Sequence, residues 1–375
     1  MKKFTFIILC LEGAVLSFNV AASAAIVPSI AHEFVLSQFI AGKIIWMYML
    51  PYGLAALLYG PLIRAVDARK VELISIFFFS VANLLAGFAA NIKTLFLARF
   101  LMGFFGASVI PLGLVLIAKH MEPDKRGKFV GIFFGATFVA SLAGLFLSGI
   151  IYWRLIFILP AIIGFILSIV MFFYLPSFKS DLTKFKVNYL DVLRDKKIFA
   201  IFTYIFFISL IYHGVQQWLG VYFSTKFCFG QFLISMLITL TSLSGVFGEV
   251  IGGDLADKLG RVKTVDLGII LMILSIFLLI FHLPLFVFAI IMVIWGLGWT
   301  FNHAGLSTML TDLPRDSINE AASLNSSVRF VSGGLGAALS GIILQKSFTF
   351  GFIIFCLGLI ILLFVSPIKP GRSNE

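Results

Sequence analysis

Three hundred and seventy-five residues would suit two or three soluble domains, but 61% hydrophobic content, 12% charged content and a mean hydropathy of +1.09 exclude a chain that folds in water. The formal net charge of +11 falls in short Lys and Arg clusters between apolar runs, a pattern that orients a chain across a bilayer and argues against a nucleic-acid surface. Cys10, Cys228 and Cys356 lie far apart without a C-x-x-C pair, so neither a disulfide framework nor a metal centre is expected.

A bilayer core of about 30 Å takes roughly 20 apolar residues per helix, and twelve such runs can be marked off between polar or Gly/Pro breaks. The predicted spans are Phe4 to Pro28, Phe39 to Gly60, Val71 to Ala90, Thr94 to Ala118, Gly127 to Ile150 and Trp153 to Tyr174. After a polar stretch come Ile198 to Phe223, Gln231 to Gly252, Val265 to Phe281, Pro284 to Met309, Glu320 to Leu344 and Phe348 to Val365. Lys2, Lys3 and the small residues Ala22-Ser23-Ala24 imitate a cleavable secretory signal. Glu12 is out of place in a signal core, and the later basic loops need the first segment to set their orientation, so helix 1 is read as retained.

With both termini in the cytoplasm, 21 of the 28 Lys and Arg fall on cytoplasmic segments, five fall on outer ones, and Arg99 and Arg329 lie inside helices. This bias gives the orientation, in a bacterial-type cytoplasmic (inner) membrane. Residues 1–175 form a first six-helix half, 176–197 a Lys- and Asp-rich cytoplasmic linker and 198–375 a second half. Gly60 and Gly253 are 193 residues apart, as are Gly103 and Gly296, which suggests an internal duplication.

The loop after the eighth span reads Gly253-Asp254-Leu255-Ala256-Asp257-Lys258-Leu259-Gly260-Arg261-Val262-Lys263. Gly260 suits a positive φ, Asp257 can accept backbone hydrogen bonds or meet a cation, and the basic residues suit anionic headgroups. The loop resembles the signature G-x-L-a-D-r-x-G-r-k of the major facilitator superfamily. Its first-half counterpart, Gly60 to Lys70, has Arg64 where the acid belongs and Asp67 at the second glycine. Arg99-x-x-x-Gly103-x-x-Gly106-Ala107, Trp153-Arg154-x-x-Phe157 and Pro28-x-Ile30 are similar to further motifs of the family, so the likeness covers the whole chain. The antiporter motif of its fifth helix survives as Ala140-x-x-x-Gly144-Leu145-x-x-Ser148-Gly149, without its proline and one glycine.

The resemblance implies an all-α membrane protein of twelve helices in two pseudo-symmetric halves, with helices 1, 4, 7 and 10 lining a central cavity. Polar side chains at helical spacing fit that expectation. Glu12, Asn19 and Ser23 lie within roughly 20° of one direction; Ser209, His213, Gln217 and Gly220 share a face, as do Trp295, Trp299 and Asn302. Asn325, Arg329, Ser332 and Gly336 form a stripe on helix 11.

Glu12 and Arg99 are the proton-coupling candidates, against plain roles as an end residue and as a tie to backbone carbonyls. Asn19, Ser23, His213, Gln217, Trp295, Trp299, Asn302 and Arg329 are the cavity candidates, although a lone His or Trp in a membrane commonly packs or satisfies structure. Gly253, Asp257, Gly260 and Arg261 form the gate loop, with Arg126 at the start of helix 5 as its expected partner.

The chain therefore reads as a monomeric secondary transporter that exports a small organic solute by alternating access, without cofactor, drawing on the proton gradient. A sugar or metabolite uptake permease is the alternative. No GxxxxGK[ST] is present for ATP. A membrane enzyme would need a motif such as H-E-x-x-H, which the scattered His32, His120, His213, His282 and His303 do not form, and a channel would lack duplicated halves.

Overall fold

Every predicted span is helical in the computed structural model, which describes residues 3–121, 126–175, 177, 189–311 and 318–364 and has no strand among them. The helices are α1 (Lys3–Phe18), α2 (Ala22–Glu33), α3 (Gln38–Ala41), α4 (Lys43–Ala65), α5 (Ala68–Gly87), α6 (Ile92–Gly106), α7 (Val109–His120), α8 (Arg126–Ser148) and α9 (Leu155–Tyr174). They continue as α10 (Tyr189–Arg194), α11 (Lys196–Gln216), α12 (Leu219–Phe227), α13 (Gln231–Lys258), α14 (Arg261–Leu278), α15 (Leu285–Thr311), α16 (Ile318–Leu344) and α17 (Phe348–Phe364).

Side-chain caps start several of these helices. Asp67 accepts from Arg69 N at α5, Asn91 from Thr94 N at α6, and Asp195 from Lys197 N and Ile198 N at α11. Nine described helices are long and apolar enough to cross a membrane, and the bent pair α1 and α2 makes a tenth. The remaining two predicted spans are also helical. Helix α14 carries Arg261, Lys263 and Asp266 in 18 residues, and α17 has 17 residues, so each falls short by charge or by length.

Two compact units form. One holds Met1–Val187 with Leu219–Met236, the other Asn188–Trp218 with Leu237–Glu375. The same pairing recurs inside each. In the first, α1 packs on α8, α5 on α6 and α5 on α9; in the second, the equivalents are α11 on α16, α14 on α15 and α14 on α17. A finer repeat lies at the two glycines paired in the sequence. A Cβ on Gly103 would stand 2.2 Å from Tyr48 O, and one on Gly296 would stand 2.2 Å from Thr241 O. Tyr48 and Thr241 are themselves 193 residues apart. Without a Cβ, one helix backbone can press against the next, the contact that replaces hydrophobic driving force in lipid.

The segment Leu219–Met236 is joined to the first unit by polar contacts. Gln231 accepts from Ser29 Oγ at 2.7 Å and its amide nitrogen lies 3.0 Å from Ala25 O, while Ser148 and Ser235 hydroxyls are 3.0 Å apart.

In the same unit the end of α2 is tied to the start of α9. Glu33 accepts from Arg154 Nη2 at 2.7 Å and Arg154 Nε at 3.0 Å, from Tyr152 OH at 2.6 Å and from Trp153 Nε1. Arg154 Nη1 also donates to Gly87 O and Ala89 O, each at 2.9 Å. The Trp153-Arg154 pair was legible in the sequence, whereas its acid was not. Charge-assisted hydrogen bonds contribute about 1.5 to 3 kcal/mol, discounted here because both partners keep some exposure. Glu33→Ala should lower the melting temperature of the purified protein by a few degrees, and Arg154→Ala should do no less. An unchanged melting curve in both would remove this corner as a stabilising feature.

Candidate functional site

Helix 1 of the sequence is broken at Asn19 to Ala21, where α1 and α2 meet at 42°. No proline marks the break. The Asn19 side chain donates to Asn83 Oδ1 of α5 at 2.5 Å, Asn83 donates to Phe79 O at 2.9 Å, and Ser23 Oγ turns back to Asn19 O at 2.7 Å. Asn19, Ser23 and Asn83 are all buried, so these bonds replace the ones that the interrupted helix gives up.

About two turns before the break, α1 presents Glu12, 1% exposed, to Glu72 of α5, which is wholly buried. The two carboxyls come within hydrogen-bonding reach of each other. Among the described residues no donor serves Glu12 Oε1 or either oxygen of Glu72. Carboxylates only accept, so two facing acids bond to each other only when one carries a proton. Buried like charges cost several kcal/mol, a cost that one proton shared by the pair would remove. Tyr59, whose hydroxyl is 3.4 Å from Ser75 Oγ, lies in the field of Glu72. Sequence reasoning placed Glu72 at the edge of the third span and gave it no role. Only the packing of α5 on the first unit shows that it points inward.

Arg99 is a separate feature. Its Nε donates to Ile44 O at 3.0 Å, and its guanidinium lies 4.5 Å from the Tyr48 ring and 5.8 Å from that of Phe157. These contacts tie α6 to α4 and α9, and Glu12 finds its partner in Glu72.

In the second unit, the stripe read on the seventh span is divided by a break at Gln217 and Trp218 between α11 and α12. Ser209 and His213 remain together, with His213 Nδ1 2.9 Å from the Ser209 carbonyl, to which it can only donate. Trp295 and Trp299 of α15 stack with Tyr212 of α11, at ring separations of 5.1 and 3.8 Å. Trp295 Nε1 donates to Gln216 Oε1 at 2.7 Å. Tyr212 and Gln216 were not singled out in the sequence, since Tyr212 reads as one more apolar residue. Asn302 is wholly buried, and its amide nitrogen and oxygen meet no hydrogen-bond partner among the described residues. Arg329 of α16 lies 5.6 Å over the Trp299 ring and donates through Nε to Asn325 Oδ1 at 2.9 Å.

The loop motif is built as a helix junction. Gly253 and Asp257 lie inside α13, Gly260 has φ +91° ahead of α14, and Arg261 is the first residue of α14. Asp257 is exposed. The side chain of Arg126, its expected partner, lies outside the described residues, as do those of Arg64 and Glu320. Among the described residues no group of three His, Cys, Asp or Glu could hold a metal ion.

The comparisons fit a polar interior carried on apolar helices. An uncharacterised MFS-type transporter of Bacillus subtilis (strain 168), YbcL, is 23% identical over 344 residues, covering 89% of this chain and 88% of that protein. The purine ribonucleoside efflux pump NepI of Salmonella enteritidis PT4 (strain P125109) is 22% identical over 320 residues, covering 84% and 81%. The crystal structure of a bacterial homologue of the human lysosomal transporter Spinster superposes with a TM-score of 0.76 at 14% identity, covering 98% and 96%. The model of the Major Facilitator Superfamily matches residues 9–337, from within α1 to within α16. That span takes in both units and the polar groups buried in each, and it makes this multi-pass membrane protein a member of the Major Facilitator Superfamily, a transporter of small molecules and not an enzyme.

Proposed function

We propose that the protein is a proton-coupled exporter of a small organic solute. It works by alternating access in a bacterial-type cytoplasmic membrane, with both termini on the cytoplasmic side. The observation that carries this reading is the Glu12–Glu72 pair, two membrane-buried acids facing each other with no cation beside them among the described residues. A buried acid pair that keeps one proton can give it up when the cavity opens to the other side, and an intramembrane ionisable residue is a functional site by default. Asn19 lies in the break that follows α1 and Ser23 in the first turn of α2, and His213, Gln217, Trp299 and Asn302 are the second-unit groups assigned to the solute. Relatives that include an efflux pump support the direction. The excess of Lys and Arg on alternate loops supports the orientation.

Purified protein in liposomes loaded with a pH-sensitive dye tests the coupling. Inosine is the first probe, because NepI is named for purine ribonucleosides, followed by planar organic acids and amines. Solute movement should be accompanied by proton movement in the opposite direction. Transport of any of these probes without proton movement would end the coupled reading.

The exposed Asp257 gives a further expectation. If the gate loop stabilises one state of the cycle, Asp257→Asn should change the cytoplasmic reactivity of cysteines introduced along α13 and α16. Asp67, which caps α5 and receives Ser177 Oγ at 2.6 Å, should change it much less when replaced by Asn. Equal effects would refute a single dominant lock.

A further inference from the structure

Arg329 is a buried cation that the proton-coupling mechanism does not use. It lies within the span Ser323–Leu344 and is 7% exposed. Nε is held by Asn325 Oδ1, which fixes the plane of the guanidinium, while the buried Nη1 and Nη2 meet no acceptor among the described residues. Glu249, whose field reaches Arg329, places its Oε1 2.7 Å from His303 Nδ1 and makes no hydrogen bond to the guanidinium among the described residues. An arginine does not readily discharge itself by losing a proton, so the unpaired nitrogens leave a site that calls for acceptors from outside the chain.

What surrounds the guanidinium narrows the ligand. Trp299 lies beneath it and is stacked on Tyr212, with ring centroids 3.8 Å apart and planes 9° apart. Tyr212 continues the stack to Trp295 at 5.1 Å and 21°. The His213 ring meets Trp299 edge-on at 5.5 Å. Trp299 and His213 are only partly buried, so both keep accessible surface beside the cation. The arrangement is held rigid, because Ser209 Oγ donates to Arg329 O at 3.1 Å and Trp295 is pinned by Gln216. A guanidinium fork matches two oxygens of a carboxylate or phosphate, and aromatic surface takes a flat ring.

The geometry points to Arg329 as the anion-binding residue of a solute site in the second unit: it takes a planar organic anion, whose acidic oxygens bridge Nη1 and Nη2 while its ring lies against Trp299 and His213. This rests on the transporter reading above and names the class of its solute. Anionic oxygens could also come from a lipid headgroup. The burial of Arg329 against aromatic side chains favours a solute.

The test uses the full chain in phosphatidylcholine nanodiscs, titrated calorimetrically with 1-naphthoate and with the neutral 1-naphthamide. The wild type should bind the carboxylate at least about tenfold more tightly than the amide, the scale of a charge-assisted bidentate contact. Arg329→Gln should erase that preference, with helix content and elution volume unchanged. If Arg329→Gln does not fold, Arg329→Lys and Asn325→Ala, which keep the charge but lose the oriented fork, should weaken naphthoate several-fold and leave the amide as it was. Equal affinities in the wild type, a preference that survives Arg329→Gln, or unchanged naphthoate binding in both charge-retaining variants would overturn the site. Loss of the preference in phosphatidylglycerol nanodiscs would assign the cation to lipid and overturn the solute version. Flux in liposomes separates this from the export reading. Arg329-dependent binding without any gradient-driven movement of naphthoate sinks export and leaves the site, whereas driven transport with no distinction between acid and amide does the reverse.

Discussion

Glu12→Gln should abolish the solute gradient that a pH gradient sustains, and Glu72→Gln should do the same, while both proteins still exchange solute downhill. In the proposed coupling the proton is shared by two facing, buried carboxyls, and either exchange removes one of them. Glutamine has nearly the shape of glutamic acid and a permanent donor, so either exchange gives the remaining acid a hydrogen bond without a proton to release. With one proton per solute, each unit of pH difference supports about a tenfold concentration ratio, equivalent to about 1.4 kcal/mol. Two units should therefore give about a hundredfold accumulation in the wild type and none in either variant. Counterflow rates under equal pH on both sides separate a lost coupling from a lost fold. Retained accumulation in Glu72→Gln would reduce Glu72 to a structural acid, and retained accumulation in both would move the proton site elsewhere.

The second large effect is expected at Gly103 and Gly296. A methyl group at either position would collide with a main-chain carbonyl, Tyr48 O or Thr241 O, which cannot swing aside as a side chain tip can. Relief requires that two helices part, and overpacking of this kind typically costs about 1 to 3 kcal/mol, with a larger side chain at the upper end or beyond. Gly103→Leu and Gly296→Leu should each lower thermal stability strongly and to a similar degree, since the two sites are the same contact repeated. Gly131→Ala is the control. A methyl group there would find no atom within 4 Å, and alanine is the better helix former by about 1 kcal/mol, so stability should hold or rise. A mild effect at Gly103 with a severe one at Gly296 would show that the repeat is not energetically equivalent.

The positions of the apolar spans were legible because a bilayer demands long apolar runs and the chain interrupts them with charge, Gly and Pro. The breaks at Asn19–Ala21 and at Gln217–Trp218 were not legible. A helical stripe was continued through both, since neither contains proline and each is held by tertiary hydrogen bonds or packing. The partners of the marked residues were equally hidden. Glu12 was visible as an acid in an apolar helix, but Glu72 stood near the end of its run, where a charge normally faces water. Arg154 was visible and Glu33, 121 residues earlier, was not. Arg329 was visible as a charge inside a span, yet that its Nη1 and Nη2 meet no acceptor among the described residues is a property of the packing alone. The 193-residue spacing of the glycines was in the sequence, and the carbonyls that explain it became apparent only when α4 and α13 were seen against them.

The most direct test of the account is whether the Glu12–Glu72 pair holds a proton in the membrane. Infrared difference spectra of the reconstituted protein, recorded between acidic and alkaline pH with carbon-13 labelling of glutamate, report the C=O stretch of a protonated carboxyl. The wild type should show this band at neutral pH and lose it at alkaline pH, and the Glu12→Gln Glu72→Gln double variant should lack it. A neutral-pH spectrum without the band, or one that the double variant leaves unchanged, would contradict the shared proton and with it the proposed coupling.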